Sequence, residues 1–455
     1  MKKVVLSALA AAMMSGTVYA DTLTLYTDAK TGQVFTTGGE GRVEMGDFID
    51  AKTVDMAQRD SESSFSEYKE GMKKYVNVKS HAKTLDFSGT HYFGLTSNSY
   101  GEKNWNGGDK STGFELRRNY VQVKAYFNDK DYFRVTMDTT KELESTTSYA
   151  TMYAKYAYLY LDKVLPYTGV EIGIAHRPWI DYEEHNSWYF RSINKVILED
   201  KFSVAAGAAG ASKNVGPDVL NSADLGVNFQ TKTPYFSSEL GIFNGEGYHA
   251  DKAANNQQNS SDLSFEWRLT GHIMGNGEKV GKYKVDKDTY ANISFAGLSS
   301  KNHKDNNLIV DDAAEYDRNA YWFHFVYNQP EFLIAAQYDV NKDKVQIGGA
   351  ETKMKMYSVN AEVRPAQDWT LLARYDNMKT EYSNSASKNN ANVGDATQII
   401  YGIAYDYNKN VKFIASGKTV DSKDETTFTR ADSTTATLGD VLDKQSWMLT
   451  TEVSW

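Results

Sequence analysis

Charged side chains are numerous in this chain, and their spacing suits electrostatics better than bond making. Nine basic residues (Arg118, Lys124, Arg134, Arg177, Arg268, Arg364, Arg374, Lys412 and Lys418) and nine acidic ones (Asp138, Glu171, Glu239, Glu266, Asp339, Glu362, Asp376, Asp406 and Glu452) fall on or beside the polar rows of segments in which polar and apolar residues alternate. Fixed charges arrayed along one surface can replace part of the hydration shell of a passing ion, which is how a selective passage works. The sets that make and break bonds are missing. The eight histidines are scattered, with no H-E-x-x-H pair, and no Walker loop, G-x-S-x-G elbow or dinucleotide fingerprint occurs. The chain has no Cys, which removes thiol catalysis, thiolate metal sites and disulfides together. His185 beside Glu183 and Glu184, and the acidic run Asp311, Asp312, Glu315 and Asp317, read as solvated loops. No catalytic residue, cofactor or metal is expected.

The elements that must position these charges are strands. A basic start (Lys2, Lys3), an apolar run over 4–14 and the small-residue ending Val18-Tyr19-Ala20 make residues 1–20 a secretory signal peptide. The run is too short to span a bilayer. Removing it takes the basic count from 50 to 48 against 59 acids, so the net charge moves from −9 to −11, and no nucleic-acid partner is expected. A mean hydropathy of −0.56 excludes a helical membrane protein. Yet 31 Tyr, 20 Phe and 8 Trp are a heavy aromatic load for so hydrophilic a chain. A closed barrel with a wet interior and aromatic girdles produces that combination.

The local pattern agrees. Trp447, Leu449, Thr451, Val453 and Trp455 share one face of the last segment, and only Met448 interrupts the polar row opposite. Alternating segments begin at 85–95 and continue through 114–127, 132–139, 151–161, 169–176, 223–230, 235–243, 262–273, 289–299, 320–328, 332–340, 353–364, 369–379, 397–407 and 411–418. With the last segment they predict sixteen strands. Pro166, Pro234, Pro330 and Pro365 fall in the short connections and none inside a predicted strand, as a donor-less residue requires. The other connections are long and rich in Asn, Ser, Thr, Lys and Asp. Short turns on one rim and long loops on the other mark an all-β transmembrane antiparallel barrel.

Residues 178–222 break the rhythm, with Pro178, Pro217, the acidic knot 181–184, the aromatic stretch 188–190 and an Ala/Gly run. The reading adopted is a third external loop folded into the lumen; the alternative, a further hairpin from 188–197 and 202–210, would give eighteen strands. Residues 21–84 read as a periplasmic extension, with a small hairpin at 23–26 and 33–36 and one helix-like face at Phe65, Tyr68, Met72 and Tyr75.

Three blocks resemble the phosphate-selective porin O and P family: 114–118 (FELRR), 155–159 (KYAYL) followed by 169–179 and 181–184 (DYEE), and 241–245 (GIFNG). The block around Arg177-Pro178-Trp179 with Glu183-Glu184 is the most diagnostic. The likeness covers most of 85–455 and implies a 16-stranded homotrimeric porin with a constricting third loop. It implies anion or phosphate preference too, but the basic and acidic lists balance, and that balance predicts weak selectivity.

The expected organisation is therefore a signal peptide at 1–20, an extension at 21–84 and a barrel at 85–455. The expected activity is passive diffusion of small hydrophilic solutes or ions, without an enzymatic step. Arg177, Glu183 and Glu184 are expected at the constriction, and Arg118, Lys124, Arg134, Arg364 and Arg374 on the pore wall. Expected partners are outer-membrane lipid and lipopolysaccharide, two further copies of the chain, and the barrel-assembly machinery reading the strand that ends in Trp455. A surface adhesin or structural protein, or less readily a hydrolase built on the barrel, are the competing readings.

Overall fold

The computed structural model describes residues 23–28, 30, 34–48, 81–101, 109–141, 150–206, 212–245, 247–248, 262–303, 316–345, 351–383, 394–423, 427–429 and 434–455. The signal peptide, the helix-like face at 65–75 and the acidic residues 311–315 lie outside them. Two compact units form, 1–81 and 82–455. In the first, Leu23–Asp28 pairs antiparallel with Val34–Phe35, the expected hairpin, and also with Arg42–Phe48, a strand the sequence reading did not include.

The second unit is a closed antiparallel barrel of sixteen strands. They are β1 (Thr84–Tyr100), β2 (Lys110–Tyr126), β3 (Tyr132–Lys141), β4 (Ala150–Leu165), β5 (Thr168–His176), β6 (Ala223–Lys232), β7 (Phe236–Phe243) and β8 (Ser264–Met274). The second half comprises β9 (Tyr290–His303), β10 (Tyr316–Gln329), β11 (Phe332–Val345), β12 (Glu351–Ala366), β13 (Trp369–Tyr382), β14 (Ala396–Asn408), β15 (Val411–Ser422) and β16 (Lys444–Ser454). Every alternating segment becomes one strand, and β16 closes on β1 with Leu449 opposite Leu95 and Ser454 opposite Thr90. Closure leaves no unpaired edge, the condition for strands to cross a bilayer. The eighteen-strand alternative is not realised. Residues 188–197 form no strand, and Ser203–Ala206 pairs only with Ser212–Val215, apart from the barrel sheet.

The period of two sends Phe229, Leu240, Phe265, Ile293, Phe323, Val359, Leu371, Ile403, Phe413 and Leu449 outward, where they stay exposed as a lipid-facing belt. At the short-turn rim this belt ends in Tyr167, Tyr235, Trp369, Tyr407 and Trp455, an aromatic girdle. Trp455 is tied in by reciprocal backbone hydrogen bonds with Gly89 and by its indole N–H donating to His91 Nε2 at 2.9 Å. Pro365 differs from expectation: β12 runs past it to Ala366. The register shifts there, between Val363 and Ala366, so the missing donor disturbs no regular ladder position.

Candidate pore lining and the folded-in loop

The third long connection runs from 177 to 222, and its described residues, 177–206 and 212–222, fold inward and cross the lumen. Its first residue is anchored by charge. The Arg177 guanidinium donates to the Glu266 carboxylate from Nε at 2.9 Å and Nη2 at 2.5 Å, both side chains being buried. Arg268 donates to the Pro178 carbonyl at 3.1 Å and to Glu239 Oε1 at 2.7 Å. A short helix follows, α1 (Ile180–Asn186), whose Tyr182 ring lies under Arg268 with the guanidinium 4.4 Å from its centroid.

From there the loop is held by wall after wall. Tyr290 of β9 donates to Asn186 O, Asn360 of β12 to Ser187 O, Arg374 of β13 to Lys195 O and Lys418 of β15 to Asn194 Oδ1, at 2.6–2.9 Å. Arg117 of β2 then reaches Ser192 O at 2.9 Å, so the segment touches both sides of the barrel. Four of these five bonds satisfy backbone carbonyls, and the Lys418 bond a side-chain amide oxygen, that burial would otherwise leave without water.

Packing completes the seat. Trp179, Ile180, Trp188, Phe190, Val196, Ile197 and Leu198 are buried against inward residues of β10 to β16, among them Trp322, Met354, Met356, Met378, Ile400, Ile414 and Met448. The inner wall on this side is thus partly apolar. The loop covers that apolar part, while Asp406, Lys412 and Glu452 of β14 to β16 keep partial exposure.

On the other side, β1 to β4 present cations and tyrosines. Tyr92, Tyr120, Lys124, Tyr132 and Arg134 keep partial exposure, with Arg118 and Lys155 buried next to them. The Arg118 guanidinium lies 4.3 Å from the Tyr120 centroid and Arg134 lies 4.5 Å from that of Tyr156. Lys124 sits 4.9 Å over Tyr132, and the Lys155 ammonium meets the Tyr120 hydroxyl and three tyrosine faces. Gly173 of β5 permits the close packing behind Tyr158: at φ +130° a Cβ there would lie 2.3 Å from the Ala157 carbonyl oxygen.

Each expected site residue has a definite place. Arg118 is buried beside Tyr92 and Tyr120, while Lys124 and Arg134 stand opposite each other on β2 and β3 and keep partial exposure. Arg364 pairs with Glu362 at 2.8 Å and Arg374 with Asp376 at 2.8 Å, both buried in the opposite half. Arg177 and Glu183 are buried in the loop's seat, and Glu184 is paired with Arg191, which also holds Glu199 at 2.6 Å. Lys155, Arg117 and Arg191 are not among the expected site residues, although the first two lie inside the blocks 155–159 and 114–118. Lys155 and Arg117 sit where the register shifts, between Thr136 and Met137 on β3 opposite Lys155, and between Tyr92 and Phe93 on β1 opposite Arg117. Such a bulge turns two successive side chains to one face, which strict alternation cannot anticipate.

Among the described residues the Glu183 carboxylate makes no ion pair, and it accepts a hydrogen bond from the Trp179 indole N–H at 2.7 Å. Burial pushes its carboxyl up to about 7, with Arg374 and the Trp179 bond pulling the other way and Asp376 adding to the rise. A carboxyl raised on seating supports the seated state fully below its ordinary value of 4.5 and loses that support as pH climbs through about 7. The expected result is a loop held more firmly at pH 5 than at pH 8, by about 3 kcal/mol at most. Amide-exchange protection of residues 180–198 reads this. Glu183→Gln should flatten the dependence, and an unchanged pH profile in that variant would remove Glu183 from the explanation.

Among solved structures, the chain is similar to an anion-selective porin from Comamonas acidovorans, with 11% identity, a TM-score of 0.54, and coverage of 82% of this chain and 99% of that one. Weaker likenesses are to the OmpT loop-L8 deletion mutant of Vibrio cholerae (14%, 82% and 99%, TM-score 0.49) and to Salmonella typhi OmpF in complex with daunomycin (13%, 82% and 98%, TM-score 0.49). The first shows the fold: a sixteen-stranded bacterial porin barrel. No protein-family profile matches the chain, and no curated protein does either.

Proposed function

We propose that the chain is an outer-membrane porin through which small hydrophilic solutes and ions diffuse passively, with a preference for anions. The observation that carries this reading is the division of the lumen. In the half covered by the loop, Arg177, Arg268, Arg318, Arg364 and Arg374 each pair with a carboxylate. On the water-facing half, Arg118, Lys124, Arg134 and Lys155 are held by tyrosine rings and hydroxyls and, among the described residues, meet no carboxylate in an ion pair. Asp86 stands opposite Lys124 in the register, so this side is distinguished by the absence of direct cation–carboxylate contacts at these four residues and not by an absence of acids. Cations without a carboxylate in contact, of which Lys124 and Arg134 keep partial exposure, attract anions and stand in for lost hydration. The Comamonas porin of the same fold is described as anion-selective, which accords with this reading. Phosphate as the preferred anion rests on the resemblance of three sequence blocks alone.

In this reading residues 1–20 are removed on export and 21–84 lie in the periplasm. The barrel assembles as a homotrimer in outer-membrane lipid and lipopolysaccharide, and the assembly machinery recognises the strand ending in Trp455. Purified protein in a planar bilayer should give stepwise conductance and, under a KCl gradient, a reversal potential of anion-favouring sign. Absence of steps would remove the pore, and a cation-favouring sign would remove the anion preference.

A further inference from the structure

We propose that the water-facing wall favours planar organic anions, carboxylates carried on an aromatic ring, over inorganic anions and over aliphatic carboxylates of equal bulk. This rests on the reading of the chain as a pore and names the solutes that pore selects.

The register sets out the path. On β1 and β2, Tyr92 stands opposite Arg118; lower on the wall Lys124 stands opposite Arg134, and next to them Tyr126 stands opposite Tyr132. Arg118, Tyr120 and Lys124 share one face of β2. Six residue steps lead from the first to the last, a path of about 20 Å at ~3.3 Å per residue, on which Gln122 stands between the Arg118–Tyr120 pair and Lys124. The geometry offers a carboxylate a cation and, beside it, the face or edge of a half-exposed tyrosine. An aromatic carboxylate can use both, because rings attract in offset or edge-to-face arrangements at centroid separations of about 4.5–7 Å. Inorganic phosphate can use only the cation. It also loses hydration to ring surfaces that give little back, and burial of a charge without compensating hydrogen bonds is costly. The opposite wall shows the contrast within the same molecule: there cations are matched to fixed carboxylates, while here they are matched to rings that cannot neutralise them.

The test uses the full-length protein in a planar bilayer in KCl, with benzoate, cyclohexanecarboxylate or inorganic phosphate added. Benzoate and cyclohexanecarboxylate carry the same charge at similar bulk, and only the first has a π face. Benzoate should halve the chloride current at a concentration about two- to tenfold lower than cyclohexanecarboxylate, the range that an aromatic pair contributes. Tyr120→Leu should bring that ratio close to one, and Tyr120→Phe should keep it. If Tyr120→Leu gives no channels, Tyr132→Leu reads the same ratio. Equal half-blocking by the two carboxylates, phosphate as the strongest blocker, or no block by any of them overturns the proposal while the pore itself stands. A protein without stepwise current overturns both.

Discussion

Replacing Trp188 with alanine is expected to release the folded-in loop and raise single-channel conductance while the barrel remains assembled. Trp188 is 1% exposed and donates its indole N–H to Asn194 O at 2.8 Å; Phe190 meets its ring edge-on and the Arg374 guanidinium lies 4.9 Å above it. Truncating a buried tryptophan to alanine costs about 3–5 kcal/mol. That cost falls on the seating of the loop rather than on the barrel, whose ladder of sixteen strands closes without residues 177–222. A change of that size shifts the seated-to-released ratio by roughly a hundred- to several thousandfold. The cost is limited by what the loop can do next: released, it exposes Met354, Met356, Met378 and Ile400 to water, so some non-native cover over that patch is expected and the current should be noisy as well as larger. Trp188→Phe, which keeps most of the apolar volume, should fall between. Conductance traces paired with limited proteolysis of the loop check this. Wild-type conductance together with wild-type protection in Trp188→Ala would mean that the loop is held by its hydrogen bonds and ion pairs alone.

The barrel was legible because its strands obey one rule. Period-two alternation, prolines confined to one rim and an aromatic ending on the last strand are local signals, and each survives being read a few residues at a time. The interior was less legible because inward residues at the same phase face different neighbours. Met354, Met356, Met378 and Met448 stand on inward positions that a wet lumen would make polar, and Met448 was visible as the one break in the alternation of the last strand. Such a break signals that something apolar covers that wall, and the aromatic stretch at 188–190 was the cover. Linking them requires the long-range fold, since Ser187 and Asn360, or Asn194 and Lys418, lie far apart in the chain.

The charges show the same limit. Face assignment from alternation put Arg118, Lys124 and Arg134 inward, where the structure places them, but it could not show which inward cations have a carboxylate beside them. Arg374 and Asp376 pair along one strand at i and i+2, as do Arg364 and Glu362, so those two pairs could have been read from the sequence. Arg177 with Glu266 and Arg318 with Asp343 join separate elements and could not. Lys155 escaped for a different reason: the irregularity in β4 reverses the phase on one side of it, and the bulge has no signature in residue type.

Because the cations in carboxylate contact and those held by tyrosine rings lie on different walls of the barrel, neutralising the second set should change ion preference and neutralising the first should not. The triple variant Arg118→Gln, Lys124→Gln, Arg134→Gln is expected to move the reversal potential under a KCl gradient from anion-favouring to cation-favouring. Two unit charges about 6 Å apart interact by roughly 3 kcal/mol at an effective dielectric of ~20, and screening over a Debye length of about 8 Å at physiological salt leaves each cation on the order of 1 kcal/mol at the path. Three such losses amount to at least about tenfold in the anion-to-cation permeability ratio. The acids that keep partial or full exposure, Asp86, Asp181, Asp406 and Glu452, then dominate the field. The control is Arg318→Gln with Asp343→Asn, which removes a buried pair joined at 2.9 Å without altering net charge. It lies behind the loop, so it should cost stability, since well-packed replacements are absent, yet leave the sign of the reversal potential where it was. Lower salt should enlarge the difference between the triple variant and the wild type, because less of each charge is screened. A triple variant that retained anion preference would show that the water-facing cations do not set the field of the pore, and the division of the lumen would lose its functional meaning.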